Sequence, residues 1–243
     1  MIRAQKNRLM EWVISRLIFR GLRSRFNSVR LSGAETMESL DRALPIIIYG
    51  NHSCWWDGFV EYYISYGLYG LDQYIMMEEK QMSRYRFFRW LGAFSVNRDS
   101  PREAALSLRY AMSLFDRPGK ILCIFPQGVM RPNDSRPLAF YPGLGRIAAG
   151  IGKAQLVPMA LRYEFLSEQR PDILVRLGPV KVVETPGDHE ALTRECEDLL
   201  TELLDGLRDS VAREDLGGFR TVLQGKASTN VKYDRVRFGG ATS

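Results

Sequence analysis

The sequence predicts an α/β fold: a mostly parallel central sheet flanked by helices, with a basic amphipathic helix at its N-terminus. Three observations predict it. Short apolar runs such as Pro45-Ile46-Ile47-Ile48-Tyr49 read as buried strands. Segments of helical period separate these runs, so that strand and helix alternate with no linker-like break. The excess positive charge is confined to the first thirty residues.

That charge defines the first element. Residues 1–30 hold eight basic side chains (Arg3, Lys6, Arg8, Arg16, Arg20, Arg23, Arg25 and Arg30) against one acid, Glu11, in a chain of net charge +6. On a helix, Met10, Val13, Ile14, Leu17, Ile18 and Leu22 form one stripe, with Arg16, Arg20 and Arg23 opposite. Trp12 and Phe19 fall at the boundary, where amphipathic rings favour a headgroup region. This is the profile of a helix lying in an anionic membrane surface. A helix that docks its apolar face on the core and leaves its arginines in water has the same pattern, and the segment alone leaves both readings open. Nucleic acid is a third partner for basic charge, but no aromatic-plus-basic recognition motif accompanies it.

The remaining elements follow in order. Residues 28–31 read as a short strand and Ser32-Gly33 as a turn. The run 44–49 is a buried strand, followed by a turn and a helix over about 55–66. A strand is expected at 73–77, an Arg-rich aromatic helix at 80–91 and a short strand at 93–97. Pro101, favoured in a first helical turn, opens a helix to about residue 115. Pro118-Gly119 turns the chain into a strand at 120–125. A loop rich in Pro and Arg, 126–142, leads to a helix from about 144, strands at 155–163 and 173–177, and a long helix at 190–212. From Gly217 the composition shifts to Gly, Ser, Arg and Lys, and a loosely packed extension is expected. The organisation is therefore a membrane-associating helix in 1–30, one α/β domain in 31–216 and an extension in 217–243.

With 243 residues, 45% of them hydrophobic, the chain can bury a sizeable core. Three cysteines at wide spacing (54, 123 and 196) fit a reduced compartment and form no metal-ligand signature, so no metal is expected. No cleavable signal pattern opens the sequence, and no apolar run approaches the roughly 18 residues of a membrane span.

The stretch Asn51-His52-Ser53-Cys54-Trp55-Trp56-Asp57-Gly58 carries the chemistry. A carboxylate on the far nitrogen of an imidazole makes a base that works near neutral pH. Five residues along a helix rotate two side chains about 140° apart, so His52 and Asp57 meet only if His52 lies in the turn and Asp57 in the first turn of the next helix. The carboxyl end of a strand is where α/β proteins usually hold their chemistry.

Three further segments join this one: Gly92-Ala93-Phe94-Ser95-Val96-Asn97-Arg98, Phe125-Pro126-Gln127-Gly128 and Val157-Pro158-Met159-Ala160. In order and spacing, over roughly residues 30–180, the four blocks resemble those of the glycerolipid acyltransferase family. The resemblance implies an acyltransferase domain that moves a fatty acyl group from acyl-CoA or acyl carrier protein directly to a lipid hydroxyl, with no cofactor and no covalent intermediate. His52 would be the general base and Asp57 would hold its tautomer. Asn51, Arg98, Gln127, Gly128 and Arg131 would contact substrate: Arg98 as the family's phosphate ligand, and backbone N–H groups at Gln127-Gly128 at the developing oxyanion. It also implies a peripheral enzyme on the cytoplasmic face of a membrane.

The third block departs from the family's pattern. Gln127 stands where the family has glutamate, Val129-Met130 replace Thr-Arg so that Arg131 comes one place late, and Phe140-Tyr141-Pro142-Gly143 lacks the usual lysine. Weaker phosphate recognition is the simplest physical reading. A lysolipid, a glycolipid or a glycosylated isoprenoid then becomes the expected acceptor. A thioesterase using the same pair, and a non-catalytic lipid-binding protein on this fold, are the competing readings.

Overall fold

The computed structural model describes residues 1–184, 187–226 and 237. The elements run α1 (Arg8–Arg25), β1 (Ser28–Ser32), α2 (Ala34–Glu38), β2 (Ile46–Gly50) and α3 (Asp57–Tyr62), which continues as a π-helical turn over Tyr63–Leu68. Then come β3 (Asp72–Glu78), α4 (Glu79–Arg84), a 3-10 turn over Arg86–Leu91, β4 (Ala93–Val96), α5 (Pro101–Ser113) and β5 (Lys120–Ile124). The chain continues with α6 (Gly143–Ile151), β6 (Ala154–Glu164), β7 (Asp172–Leu177), β8 (Lys181–Val183), α7 (His189–Ala212) and β9 (Arg220–Gln224).

The strands form one sheet in the order β4-β3-β5-β2-β6-β7-β1-β9, with β8 pairing β6 outside that path. From β4 to β6 every pairing is parallel. Beyond β6 the sheet turns mixed: β7 runs against β6, β1 runs with β7, and β9 runs against β1. The chain thus forms the expected α/β fold with a mostly parallel central sheet. Both faces are covered. Ile46 and Ile48 enter the core on one side, with Leu22 and Val60, while Ile47 and Tyr49 enter the core on the other, with Leu144 and Leu200. Burial on both faces is why β2 reads as an unbroken apolar run rather than an alternating one.

Proline inside a central strand needs an explanation, and β6 supplies one. Pro158 lies between the stretch of β6 that pairs β8, residues 154–156, and the stretch that pairs β7, residues 159–164. On that edge no strand partner asks for its missing N–H, while its carbonyl accepts from Gly178.

Several local expectations differ from what forms. The helix expected over 80–91 is broken at Tyr85 (φ −118, ψ 62) into α4 and the 3-10 turn, and Gly92 (φ +95) ends it. A Cβ at Gly92 would lie 2.4 Å from the Gln73 carbonyl, so this left-handed position also demands glycine sterically. Residues 220–224, expected within a loosely packed extension, form β9 instead. Without it β1 would end the sheet with unpaired backbone groups. Leu223 is buried and the Tyr63 hydroxyl donates to the Val222 carbonyl at 2.7 Å. The other residues of that extension beyond 226 lie outside the described residues, Arg237 excepted.

The stripe expected on α1 is split. Glu11, Ser15, Ile18 and Leu22 face the protein, and Glu11 is held by Lys6 and the Tyr62 hydroxyl. Leu9, Trp12, Val13 and Leu17 are exposed, Trp12 by 52% and Leu17 by 63%, on the same face as Arg8, Arg16 and Arg20. The helix docks with one face and leaves a second apolar face uncovered. Among the described residues no helix is long and apolar enough to cross a membrane.

Candidate active site

The turn after β2 wraps around a single carboxylate. Asp57, at the start of α3, is fully buried. Its Oδ2 accepts from His52 Nδ1 at 2.8 Å and from the backbone N–H groups of Ser53 and Cys54 at 2.7 and 2.8 Å. Its Oδ1 accepts from the Tyr163 hydroxyl at 2.6 Å. The five-residue spacing is thereby explained: residues 52–54 curl back over the helix start, so one carboxylate both caps the turn and holds the imidazole. The His52 ring stacks on Phe125, centroids 4.8 Å apart and planes 22° apart. With Nδ1 engaged, Nε2 is the nitrogen left to meet a substrate proton.

The sheet order brings the other blocks to this turn. β5 neighbours β2 and ends at Ile124, just before Phe125-Pro126-Gln127-Gly128. Gln127 is buried, and its Oε1 accepts from the His52 backbone N–H at 2.7 Å. The neutral amide therefore acts as a brace for the His52 turn. Arg131 contributes through its backbone, its N–H donating to the His52 carbonyl at 2.8 Å. Asn51, expected at the substrate, is buried and braces β6: its Oδ1 accepts from the Leu161 N–H, and its Nδ2 donates to the Leu161 carbonyl and to Asn133 Oδ1. The Gly128 N–H, expected to face the oxyanion, donates to the Phe125 carbonyl in a tight turn. Gly128 (φ +66) serves by lacking a side chain, since a Cβ there would lie 2.3 Å from Arg98 Nη1.

A cavity of about 710 Å³ opens beside His52. Arg98, Glu78, Gly128 and Tyr141 line it where the strands end, and Phe59, Ile75, Met77, Phe88 and Ala93 line its apolar walls. It reaches Gln73, five residues before Glu78 along β3, or about 16 Å at the rise of a parallel strand. Arg98 meets Glu78 there rather than standing free, with Nη2 and Nε at 2.5 and 2.8 Å from Glu78 Oε2.

Two groups of this region carry no sequence signal. Tyr163 is one: its link to Asp57 spans 106 residues and exists only through the pairing of β6 with β2. The other is Glu61, fully buried on α3, which accepts from Ser65 Oγ at 2.6 Å and from Gln73 Nε2. Burial pushes the Glu61 carboxyl up to about 7. Burial, and then the Asp57 charge, push the Tyr163 hydroxyl well above its ordinary value, so it stays a donor. Burial likewise raises the Cys54 thiol, which disfavours the thiolate a nucleophile needs. Among the described residues no group of three or more His, Cys, Asp or Glu is placed to hold a metal ion.

Comparison with known proteins bears on the family and the fold. No curated protein matches the chain. Among solved structures, the crystal structure of the 1-acyl-sn-glycerophosphate (LPA) acyltransferase PlsC from Thermotoga maritima is similar in fold: TM-score 0.57, 16% identity, covering 83% of this chain and 79% of that one. The acyltransferase family model matches residues 29–162, a span that begins in β1 and takes in the His52 turn, Arg98, the Gln127 loop and most of β6. Matched over more than half its length by that model, the chain belongs to the acyltransferase family.

Proposed function

We propose that the protein is a peripheral membrane O-acyltransferase that moves a fatty acyl group from acyl-CoA or acyl carrier protein to the hydroxyl of a lipid acceptor, with no further cofactor. The observation that carries this reading is the His52–Asp57 pair, 2.8 Å apart, at an apolar cavity of about 710 Å³. His52 Nε2 takes the proton of the acceptor hydroxyl as its oxygen attacks the thioester carbonyl, and Asp57 stabilises the imidazolium that results. The tetrahedral intermediate then expels the thiolate, which the imidazolium protonates. The apolar walls suit an acyl chain.

Membrane contact rests on α1. Leu9, Trp12, Val13 and Leu17, with Arg8, Arg16 and Arg20 on the same face, suit the headgroup boundary of an anionic bilayer such as the cytoplasmic leaflet. The experiment that tests the function measures free thiol and acylated product from a long-chain acyl-CoA, with and without hydroxyl lipids, for the wild type and His52→Ala. Acceptor-dependent product that vanishes in His52→Ala is the expected result. Thiol release with no acylated product would make the protein a thioesterase instead.

A further inference from the structure

The family resemblance gives Arg98 the role of a phosphate contact, yet in this chain its charge is already answered. Its guanidinium carbon is 5.2 Å from the centre of the Tyr141 ring, and Nη2 and Nε both reach Glu78. Glu78 is the last residue of β3, so the pair stands at the carboxyl ends of the parallel strands, on the rim that carries His52. We propose that Glu78 sets the acceptor class, converting the Arg98 position from one that binds phosphate into one that reads an uncharged polyhydroxy head group. This inference rests on the acyl-transfer reading above and names the acceptor for the same site.

The chemistry of the pair favours hydroxyls over anions. A guanidinium–carboxylate pair has no net charge, yet it still offers N–H donors on Arg98 and carboxylate lone pairs on Glu78. A hydroxyl both donates and accepts, so it can use both partners. A phosphate only accepts: it gains little from a neutralised guanidinium and meets a carboxylate at contact distance. Tyr141, half exposed beside Arg98, adds a flat apolar face against which a sugar or polyol carbon skeleton can lie.

The other nearby cations do not restore the phosphate site. Arg136 is bound to Asp205 at 2.5 Å. Arg131 does not line the cavity. Arg146 does line it, but from α6 and with its side chain exposed, where water screens it.

The test compares the wild type, Glu78→Gln and Glu78→Ala with one acyl-CoA and three acceptors in mixed micelles: monoacylglycerol, a dodecyl glucoside and lysophosphatidic acid. The wild type is expected to show a higher kcat/KM for at least one uncharged acceptor than for lysophosphatidic acid. Glu78→Gln, which keeps a hydrogen-bond acceptor beside Arg98 but removes the charge, should move the ratio toward lysophosphatidic acid by about tenfold or more. Glu78→Ala should move it the same way. A wild type that prefers lysophosphatidic acid would overturn the proposal, as would variants that fold, judged by their melting temperatures, and keep the wild-type ratio. If neither variant folds, the wild-type preference decides alone. Failure of the underlying reading looks different: thiol is released but no acceptor is acylated, and the proposal falls with it.

Discussion

The Tyr163 hydroxyl donates to Asp57 Oδ1 at 2.6 Å, on the side of the carboxylate opposite His52. Tyr163 thus reaches the proposed base, His52, only through Asp57, as a positioning residue. Tyr163→Phe keeps the ring against Phe26 and removes the hydroxyl that meets Asp57 and the Cys54 thiol. The bare buried oxygen should cost about 1–3 kcal/mol of stability. A loosened carboxylate should lower kcat roughly tenfold and leave KM for the acyl donor unchanged. Denaturant melts and steady-state kinetics check this, and a variant matching the wild type in both would make the bond idle.

His52 and Asp57 should separate in their effects on stability. The His52 side chain is 24% exposed, so His52→Ala should stay within about 1 kcal/mol of wild-type stability while losing a thousandfold or more in turnover. Asp57→Ala strips four donors of their acceptor, two of them backbone N–H groups, and should cost about 3 kcal/mol or more in addition to activity. Urea midpoints of the two variants distinguish the roles. Equal midpoints would show that Asp57 does not hold the turn.

On α1, exposed and buried positions should behave oppositely. Trp12→Ala and Leu17→Glu are expected to weaken sedimentation with anionic vesicles several-fold without moving the melting temperature. Leu22→Ala, at 0% exposure, should destabilise the protein by about 2–5 kcal/mol. Vesicle binding that survives both surface substitutions would assign α1 to packing alone.

Glu61 should make stability fall as pH rises. Its carboxyl titrates near 7 in the folded chain because it is buried, against about 4.3 when unfolded. Between those values the native state holds a proton that the unfolded state has released. The protonated form's contribution is full below about 4.3 and is lost as pH climbs through 7, in all about 4 kcal/mol, most of it between pH 5 and pH 8. Glu61→Gln cannot titrate, so its stability relative to wild type should improve by that order between pH 5 and pH 8. Denaturation curves at the two pH values provide the check, and an unchanged difference would mean that Glu61 ionises as an exposed glutamate does.

What was legible in the sequence was whatever local pattern determines. Ile46–Tyr49 declared a buried strand, and the His52–Asp57 spacing permitted only a turn leading into a helix, the arrangement observed. What escaped was set by pairing between distant segments. Tyr163 reaches Asp57 because β6 lies beside β2 in a fixed register, and Glu78 reaches Arg98 because β3 and β4 end together, Glu78 opposite Val96. The bonds of Asn51 and of the Gly128 N–H escaped for a related reason: a motif does not say whether a polar group also satisfies the fold itself. The stripe on α1 was split because a helical period does not say which of two adjacent faces finds a partner.

Strand β6 holds three attachments in sequence: Pro158 at the switch from β8 to β7, Leu161 against Asn51, and Tyr163 against Asp57. Along a strand the side chains alternate between faces, so adding or removing one residue between Leu161 and Tyr163 would point the tyrosine away from the carboxylate. The strand can thus drift in composition over generations but not in length. Insertions should be tolerated only past Glu164, where the chain turns toward β7, and a deletion scan through this hairpin would fall abruptly at that boundary.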